Sequence, residues 1–439
     1  MISGAPRAAL VLVAVAMVVR VGLVVGTHDY LPAHDAIDYD RHARSIAAGD
    51  GFPGPLILIN QDSPSSFRPP LYPYVLGATY KLAPGTLTAG RLLSAALGSL
   101  SVLLIFLIVA RVWGRRAALA AGSLAAVFPP LVALTGALTV ESLFIPLELG
   151  LVLSVLAYRS AGGAIRWALL AGVLCGLATL TRANGFVLAV PLLLGLLAAR
   201  RGAGLRSSLT APAVALVATV VVVMPWTIRN AVAFDGAFVP VSITSGLALA
   251  GTYNDVARLD PDGKGEWRPP YEVPRDRPLF LRADYDELDL DRALAGNARD
   301  YIREHPGYAL QVPLLNGYRL MNPEASHKVT RYSYDAMGIR QGARGLVSYS
   351  YLAVALLAVL GGVIAVRRRT PGPLWLWCVP VLMALSFATL SGEPRYRTTL
   401  DPFILMLAGL AVAEVVRRAR ARLGDPAAQQ GGQHAYAVE

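Results

Sequence analysis

The sequence predicts an all-α polytopic membrane protein, a bundle of about ten transmembrane helices whose extracytoplasmic loops carry short surface helices. Three observations carry that prediction. Of the 439 residues, 55% are hydrophobic and 16% charged, and the mean hydropathy is +0.50, far from the balance of a soluble enzyme. Residues 92–110, bracketed by Arg91 and Arg111, hold no charge and alone supply the roughly 20 apolar residues that a spanning helix needs. Basic clusters follow every second apolar run, the periodicity expected of a chain threaded back and forth across a bilayer.

In chain order the expected spans are 8–26, 92–110, 117–134, 138–157, 167–180, 186–199, 209–226, 347–366, 374–390 and 402–416. The clusters Arg111/Arg115/Arg116, Arg159/Arg166, Arg200/Arg201/Arg206, Arg367/Arg368/Arg369 and Arg417/Arg418/Arg420/Arg422 then fall on one side, which the positive-inside rule makes cytoplasmic. Both termini are expected there. The polar insertions 27–90 and 227–346 are expected together on the opposite face. Much of the net charge of +11 sits in the juxtamembrane clusters, where topology and anionic lipid headgroups account for it, so membrane lipids and not nucleic acid are the expected partners.

The first run is read as a retained helix rather than a cleaved signal, because Arg20 interrupts it and no small-residue cleavage site precedes Thr27. Cys175 and Cys378 both lie in apolar runs and read as packing residues. The domain reading is an N-terminal membrane domain 1–226 that includes a catalytic loop 27–90, an extracytoplasmic subdomain 227–346, C-terminal helices 347–423 and a disordered cytoplasmic tail 424–439.

The first loop concentrates the chemistry. Residues 36–48 suit a helix at the membrane face that ends at Gly49, with Asp35 placed as its N-cap and Asp38 in its first turn. Both acids could simply satisfy free backbone N–H groups there. A sugar transfer from an activated lipid needs one carboxylate to take the proton of the incoming hydroxyl, and a low-dielectric pocket at the membrane edge would raise its basicity. Asp35 is the candidate base, with Asp38 supporting. His34, Asp38 and His42 recur at i, i+4 and i+8, a pattern that would put three ligand-type side chains on one helical face and leaves room for a divalent cation, although no cofactor is firmly implied. In Phe67-Arg68-Pro69-Pro70-Leu71-Tyr72-Pro73 the prolines fix a rigid backbone, and Arg68 on such a backbone can grip a phosphate bidentately.

Charges gather at the outer ends of the spans. Arg20 lies about two turns inside the first, and Glu141 and Glu148 share a face of the fourth. Arg182 stands in TRANG, Arg229 in PWTIRN, and Glu393, Arg395, Tyr396 and Arg397 in GEPRYR. Arginines are scarce on a non-cytoplasmic face, so several together point to an anion such as a lipid-linked phosphate, while any single one also reads as an interfacial anchor.

Taken in order, D-A-x-x-Y with the following A and G-x-G (Asp35, Ala36, Tyr39, Ala43, Gly49, Gly51), then RPPLYP, T-R-x-x-G, P-W-x-x-R-N and E-x-R-Y resemble the glycosyltransferase family 39 branch of the GT-C superfamily, related to protein O-mannosyltransferases and the lipid A aminoarabinose transferase. The resemblance covers most of the membrane portion. It implies a GT-C-type helix bundle, a polyprenyl-phosphate sugar as donor, transfer to an acceptor hydroxyl on the non-cytoplasmic face, and an acidic first-loop residue as base, which maps to Asp35. It further implies phosphate or substrate roles for Arg68, Arg182, Arg229, Arg395 and Tyr396, extended to Arg20, Arg397, Glu141 and Glu393. Ala36 stands where such proteins often carry Glu, which weakens the implication of a protein Ser or Thr as acceptor; a lipid, glycan or protein hydroxyl all fit.

The expected protein is therefore an inverting membrane glycosyltransferase, and the Arg-, Ala- and Val-rich composition fits the plasma membrane of a GC-rich bacterium. Two competitors are a transporter or flippase of lipid-linked saccharides, against which the absence of any visible repeat counts, and a ligase that moves oligosaccharides from a diphosphate donor.

Overall fold

The computed structural model describes residues 5–54, 64–83, 87–199, 204–322 and 327–423. The expected disordered tail, 424–439, and Arg200 and Arg201 of the third basic cluster lie outside them. Among the described residues there is no strand, as a chain that must satisfy its backbone polar groups inside lipid requires.

The helices are α1 (Ala5–Gly26), α2 (Asp35–Ala48), α3 (Leu71–Leu82), α4 (Leu87–Val112), α5 (Arg115–Val127), α6 (Pro129–Ala133), α7 (Glu141–Ser160), α8 (Ile165–Thr181), α9 (Ala189–Ala198), α10 (Leu205–Ala233), α11 (Ser245–Thr252), α12 (Asp255–Leu259), α13 (Glu287–Glu304), α14 (Pro306–Met321), α15 (His327–Ala336), α16 (Arg344–Arg367), α17 (Leu374–Ala388) and α18 (Asp401–Arg422). Every one of the ten expected spans coincides with a helix. Among the described residues five helices are long and apolar enough to cross a membrane on their own, namely Arg7–Gly26, Leu87–Val112, Glu141–Ser160, Ser208–Ala233 and Gln341–Arg367. The third expected span is a pair, Arg115–Val127 and Pro129–Gly136, bent by 49° where Phe128 meets two prolines that cannot continue the hydrogen-bond ladder. Ile165–Thr181, Ala183–Ala198 and Leu374–Ala388 are shorter apolar helices. The chain is an integral membrane protein.

Packing uses small residues for close approach, since apolar side chains alone gain little by leaving lipid for a helix interface. α8 runs against α10 with Gly172 on the Ala215 backbone, and α16 against α18 with Gly361 on the Leu407 carbonyl; a methyl group at either glycine would strike main chain. One apolar core joins α1, α4, α5, α7, α8, α16, α17 and α18.

The two ends of the bundle differ. At one, Glu414 accepts from Arg417 and Arg418 and pairs with Arg368, while Trp113 donates to the Thr370 carbonyl at 2.8 Å, so the basic clusters of separate loops share one surface. At the other, the two polar insertions touch each other: Ile243 N donates to Ser66 O at 2.9 Å and the rings of His34 and Tyr332 lie 3.9 Å apart. α2 lies at this second end, with Ala36, Tyr39 and Ala43 packed on Tyr72, Leu76 and Tyr80 of α3 and on Leu138, Val140 and Leu143. These three positions recur every three to four residues, one apolar stripe of a surface helix. Gly49 ends α2 in the left-handed conformation, φ 94°, with its N–H on the Ser45 and Ile46 carbonyls.

Candidate active site

Asp35 is the first residue of α2, not its N-cap. The cap position belongs to His34, which makes no side-chain cap bond and takes φ 54°, a left-handed conformation uncommon for a residue with a Cβ. This turn, braced by the Tyr332 ring, releases the Asp35 carboxylate from the backbone. Its two oxygens are instead taken by arginines from opposite ends of the chain: Arg68 Nη2 donates to Oδ1 at 2.8 Å and Arg395 Nη2 to Oδ2 at 2.6 Å.

Around this ion triplet the network continues. Arg68 Nε donates to Asp38 Oδ2 at 2.7 Å, and its guanidinium lies over the rings of Tyr39 and Phe67. Arg395 Nε lies 3.6 Å from Glu141 Oε1, and Arg182 Nη1 donates to that same oxygen at 2.5 Å. Arg182 stacks over Tyr396 and Phe387, which stack on each other. Glu393 Oε2 sits 3.8 Å from Arg395. Five separated segments thus meet: the start of α2, the proline-rich segment before α3, the start of α7, the end of α8 and the segment before α18.

The electrostatics correct one expectation. Burial by itself would raise the Asp35 carboxyl, but Arg68 and Arg395 outweigh it and hold the group well below the usual carboxylate range. Asp38 is likewise held low against its burial, by Arg68 and His42. The membrane edge therefore does not make Asp35 more basic in the free protein. Burial does raise Glu393, to about 7 against the pull of Arg395. With Glu393 protonated, the guanidiniums of Arg68, Arg182 and Arg395 are matched one for one by the carboxyl groups of Asp35, Asp38 and Glu141. Exposure marks the open side: the side chains of Asp35 and Arg68 are 23% and 18% exposed, while Arg395 is 4% and Glu141 0% exposed. Asp35 and Arg68 are thus more open to solvent than Arg395 and Glu141.

Residues 67–228 match the family described as dolichyl-phosphate-mannose-protein mannosyltransferase, the stretch that runs from Phe67 and Arg68 to the PWTIRN segment. Over 95% of this chain the fold superposes on the archaeal oligosaccharyltransferase AglB of Archaeoglobus fulgidus, solved with an inhibitory peptide and a dolichol-phosphate, with a TM-score of 0.56 at 14% identity. The family match spans residues 67–228, less than half of the chain, and the likeness to AglB at 14% identity is one of fold. The chain spans about half of AglB, covering 51% of its length. ArnT of Cupriavidus metallidurans bound to undecaprenyl phosphate also matches, with a TM-score of 0.44 and 17% identity over 96% of this chain and 80% of that one. No curated protein sequence matches.

In this fold the expected residues separate into three groups. Asp35, Asp38, Arg68, Arg182, Arg395, Tyr396, Glu141 and Glu393 are brought together. Arg229 is next door: its Nη1 donates to the Ser65 carbonyl at 2.7 Å, so it holds main chain near Arg68 and not the carboxylates. Arg20 and Arg397 are elsewhere. Arg20 is fully buried and donates to the carbonyls of Ala16, Ala125 and Ala126, the last two freed by the end of α5. Arg397 pairs with Asp401 at 3.4 Å and lies on the Tyr351 ring of α16.

The expected metal-ligand face does not form. His34 lies outside the helix with its ring on Tyr332, and His42 Nδ1 contacts the Asp38 carbonyl at 2.7 Å while its ring meets Phe52 edge-on. Among the described residues no group of three His, Cys, Asp or Glu converges as ligands would. Sequence reasoning missed Tyr332, whose hydroxyl is pushed up by burial beside Asp35 and Glu393. It also missed Arg91, a buried arginine bound to Thr27 and to the Gly136 carbonyl. No local pattern marks either one.

Proposed function

We propose that this chain is a glycosyltransferase that moves a sugar from a polyprenyl-phosphate donor to an acceptor hydroxyl on the non-cytoplasmic face of a bacterial plasma membrane, with inversion and with Asp35 as base. The observation that carries the reading is the Asp35 carboxylate held between Arg68 and Arg395 at the open side of the cluster. AglB, solved with a dolichol-phosphate, and the family match over residues 67–228 support the choice of donor class.

The ion triplet explains how a carboxylate held so acidic can serve as a base. A donor phosphate offers acceptor oxygens to the same guanidiniums that Asp35 occupies. As those N–H groups pass to the phosphate, Asp35 loses the partners that hold its pKa down and turns toward the acceptor. The acceptor oxygen then attacks the anomeric carbon, its proton goes to Asp35, and the bond from that carbon to the phosphate oxygen breaks. The lipid phosphate leaves with both electrons of that bond, its charge met by Arg68 and Arg395. Arg182 acts one step behind by sharing Glu141 with Arg395, and Tyr396 packs both guanidiniums in place.

The test is to incubate the purified protein with a panel of polyprenyl-phosphate sugars and acceptors and to follow free polyprenyl phosphate. Release that depends on both substrates supports transfer; movement of intact donor across a bilayer without release would replace this reading with that of a flippase. Asp35→Asn keeps the size and removes the base, and is expected to lower turnover about 10²–10⁴-fold, the usual contribution of general base catalysis. Full turnover in that variant would refute Asp35.

A further inference from the structure

Ser65 and Ser66 are fully buried three and two positions before Arg68, and the second insertion together with the end of α10 grips them. Glu287, at the start of α13, accepts the Ser66 N–H at 3.0 Å. Asn230 accepts the Ser66 hydroxyl at 2.6 Å and is itself fixed on the Val239 carbonyl. Arg229 and the Ile243 N–H take the carbonyls of Ser65 and Ser66. Directly after Arg68, Pro69 and Pro70 remove the freedom the chain would otherwise recover before α3. Arg68 is therefore held between a latched dipeptide and a rigid one.

We infer that Glu287 is a positioning residue: by latching the Ser66 amide it makes the second insertion set the reach of Arg68 toward an anionic lipid headgroup. The chemistry of the latch singles out Glu287. Asn230 and Arg229 belong to the last turns of α10, whereas Glu287 comes from a different helix, 221 residues from Ser66, so its bond fastens one insertion to the other. Only one of its oxygens is engaged with the Ser66 amide, and the side chain is buried, with its pKa pushed up to about 8 by that burial. A carboxamide can fill the same place, because acceptance of one N–H needs a carbonyl oxygen and not a charge. Glu287→Gln should keep the latch and Glu287→Ala should lose it.

The inference rests on the reading of Arg68 as a phosphate ligand, so its experiment has two arms in lipid nanodiscs. The first is amide hydrogen exchange of a peptide covering residues 64–70: Glu287→Ala is expected to speed its exchange about tenfold, Glu287→Gln to leave it near wild type, and peptides of α4 to stay unchanged in both. The second is the dissociation constant for undecaprenyl phosphate, expected to rise about tenfold in Glu287→Ala and to return in Glu287→Gln. Unchanged exchange in Glu287→Ala overturns the latch. Faster exchange with unchanged affinity overturns its control of Arg68. Faster exchange in α4 as well shows a general loosening and also overturns the proposal. A wild-type protein that binds no undecaprenyl phosphate would refute the donor reading, and the exchange arm would still decide the latch.

Discussion

Arg395 and Arg20 are both buried arginines, and they illustrate two uses of the same side chain. Arg395 lies among carboxyl groups, those of Asp35, Glu141 and Glu393, each able to change partner when another anion arrives. Arg20 lies among backbone carbonyls, which belong to helices and cannot move without unwinding them. A guanidinium matched by mobile charges is available for exchange, and one matched by main chain is a fixture.

Replacing both sides of the comparison would show whether it holds. Arg395→Leu removes one of the two donors on Asp35 and is expected to lower sugar transfer about 10²–10³-fold, the effect of losing one donor to developing charge; a turnover assay on the detergent-purified variant measures it. Its thermal midpoint should fall too, because one buried carboxyl group loses its guanidinium. Arg20→Met should act on stability alone. It strands the Ala125 and Ala126 carbonyls at about 1–3 kcal/mol each, which lowers the melting temperature while activity per folded molecule stays within twofold. Equal losses of activity in the two variants would erase the distinction.

A smaller effect concerns pH. Glu393 is raised from 4.5 to about 7, so between those values the folded protein binds a proton that the unfolded chain has released. Stability from this group is therefore present below pH 4.5 and lost as pH rises through 7. Glu393→Gln should raise the melting temperature at pH 8 and leave it near wild type at pH 5. A variant with the wild-type pH profile would show that burial does not act on Glu393 as described.

What could be read in advance followed the range of the physics involved. Each of the ten apolar runs falls on helix, one of them on a bent pair, because the tendency of an apolar run to be helical in lipid is decided locally. The stop at Gly49 was legible for the same reason. The convergence of Arg68, Arg182 and Arg395 was legible only through their common position at outer ends. Arg20 passed the same criterion and failed, since depth in a span does not say which neighbour a side chain will face. The N-cap expectation for Asp35 failed because the left-handed turn at His34 depends on Tyr332, roughly 300 residues away in sequence. Glu287 carried no sign at all: its partner is a backbone amide in another insertion.

The bond from Arg20 to the end of α5 also bears on how the protein is made. A lone Arg deep in a spanning segment costs roughly 2.5–3.5 kcal/mol at the helix centre on insertion scales. α1 emerges from the ribosome about 100 residues before the carbonyls of Ala125 and Ala126 that accept from it. Until α5 arrives, the first helix has to hold its cation toward the membrane surface or against a chaperone. Biogenesis of the whole bundle thus contains a waiting step, whose end is the docking of α1 on the broken span.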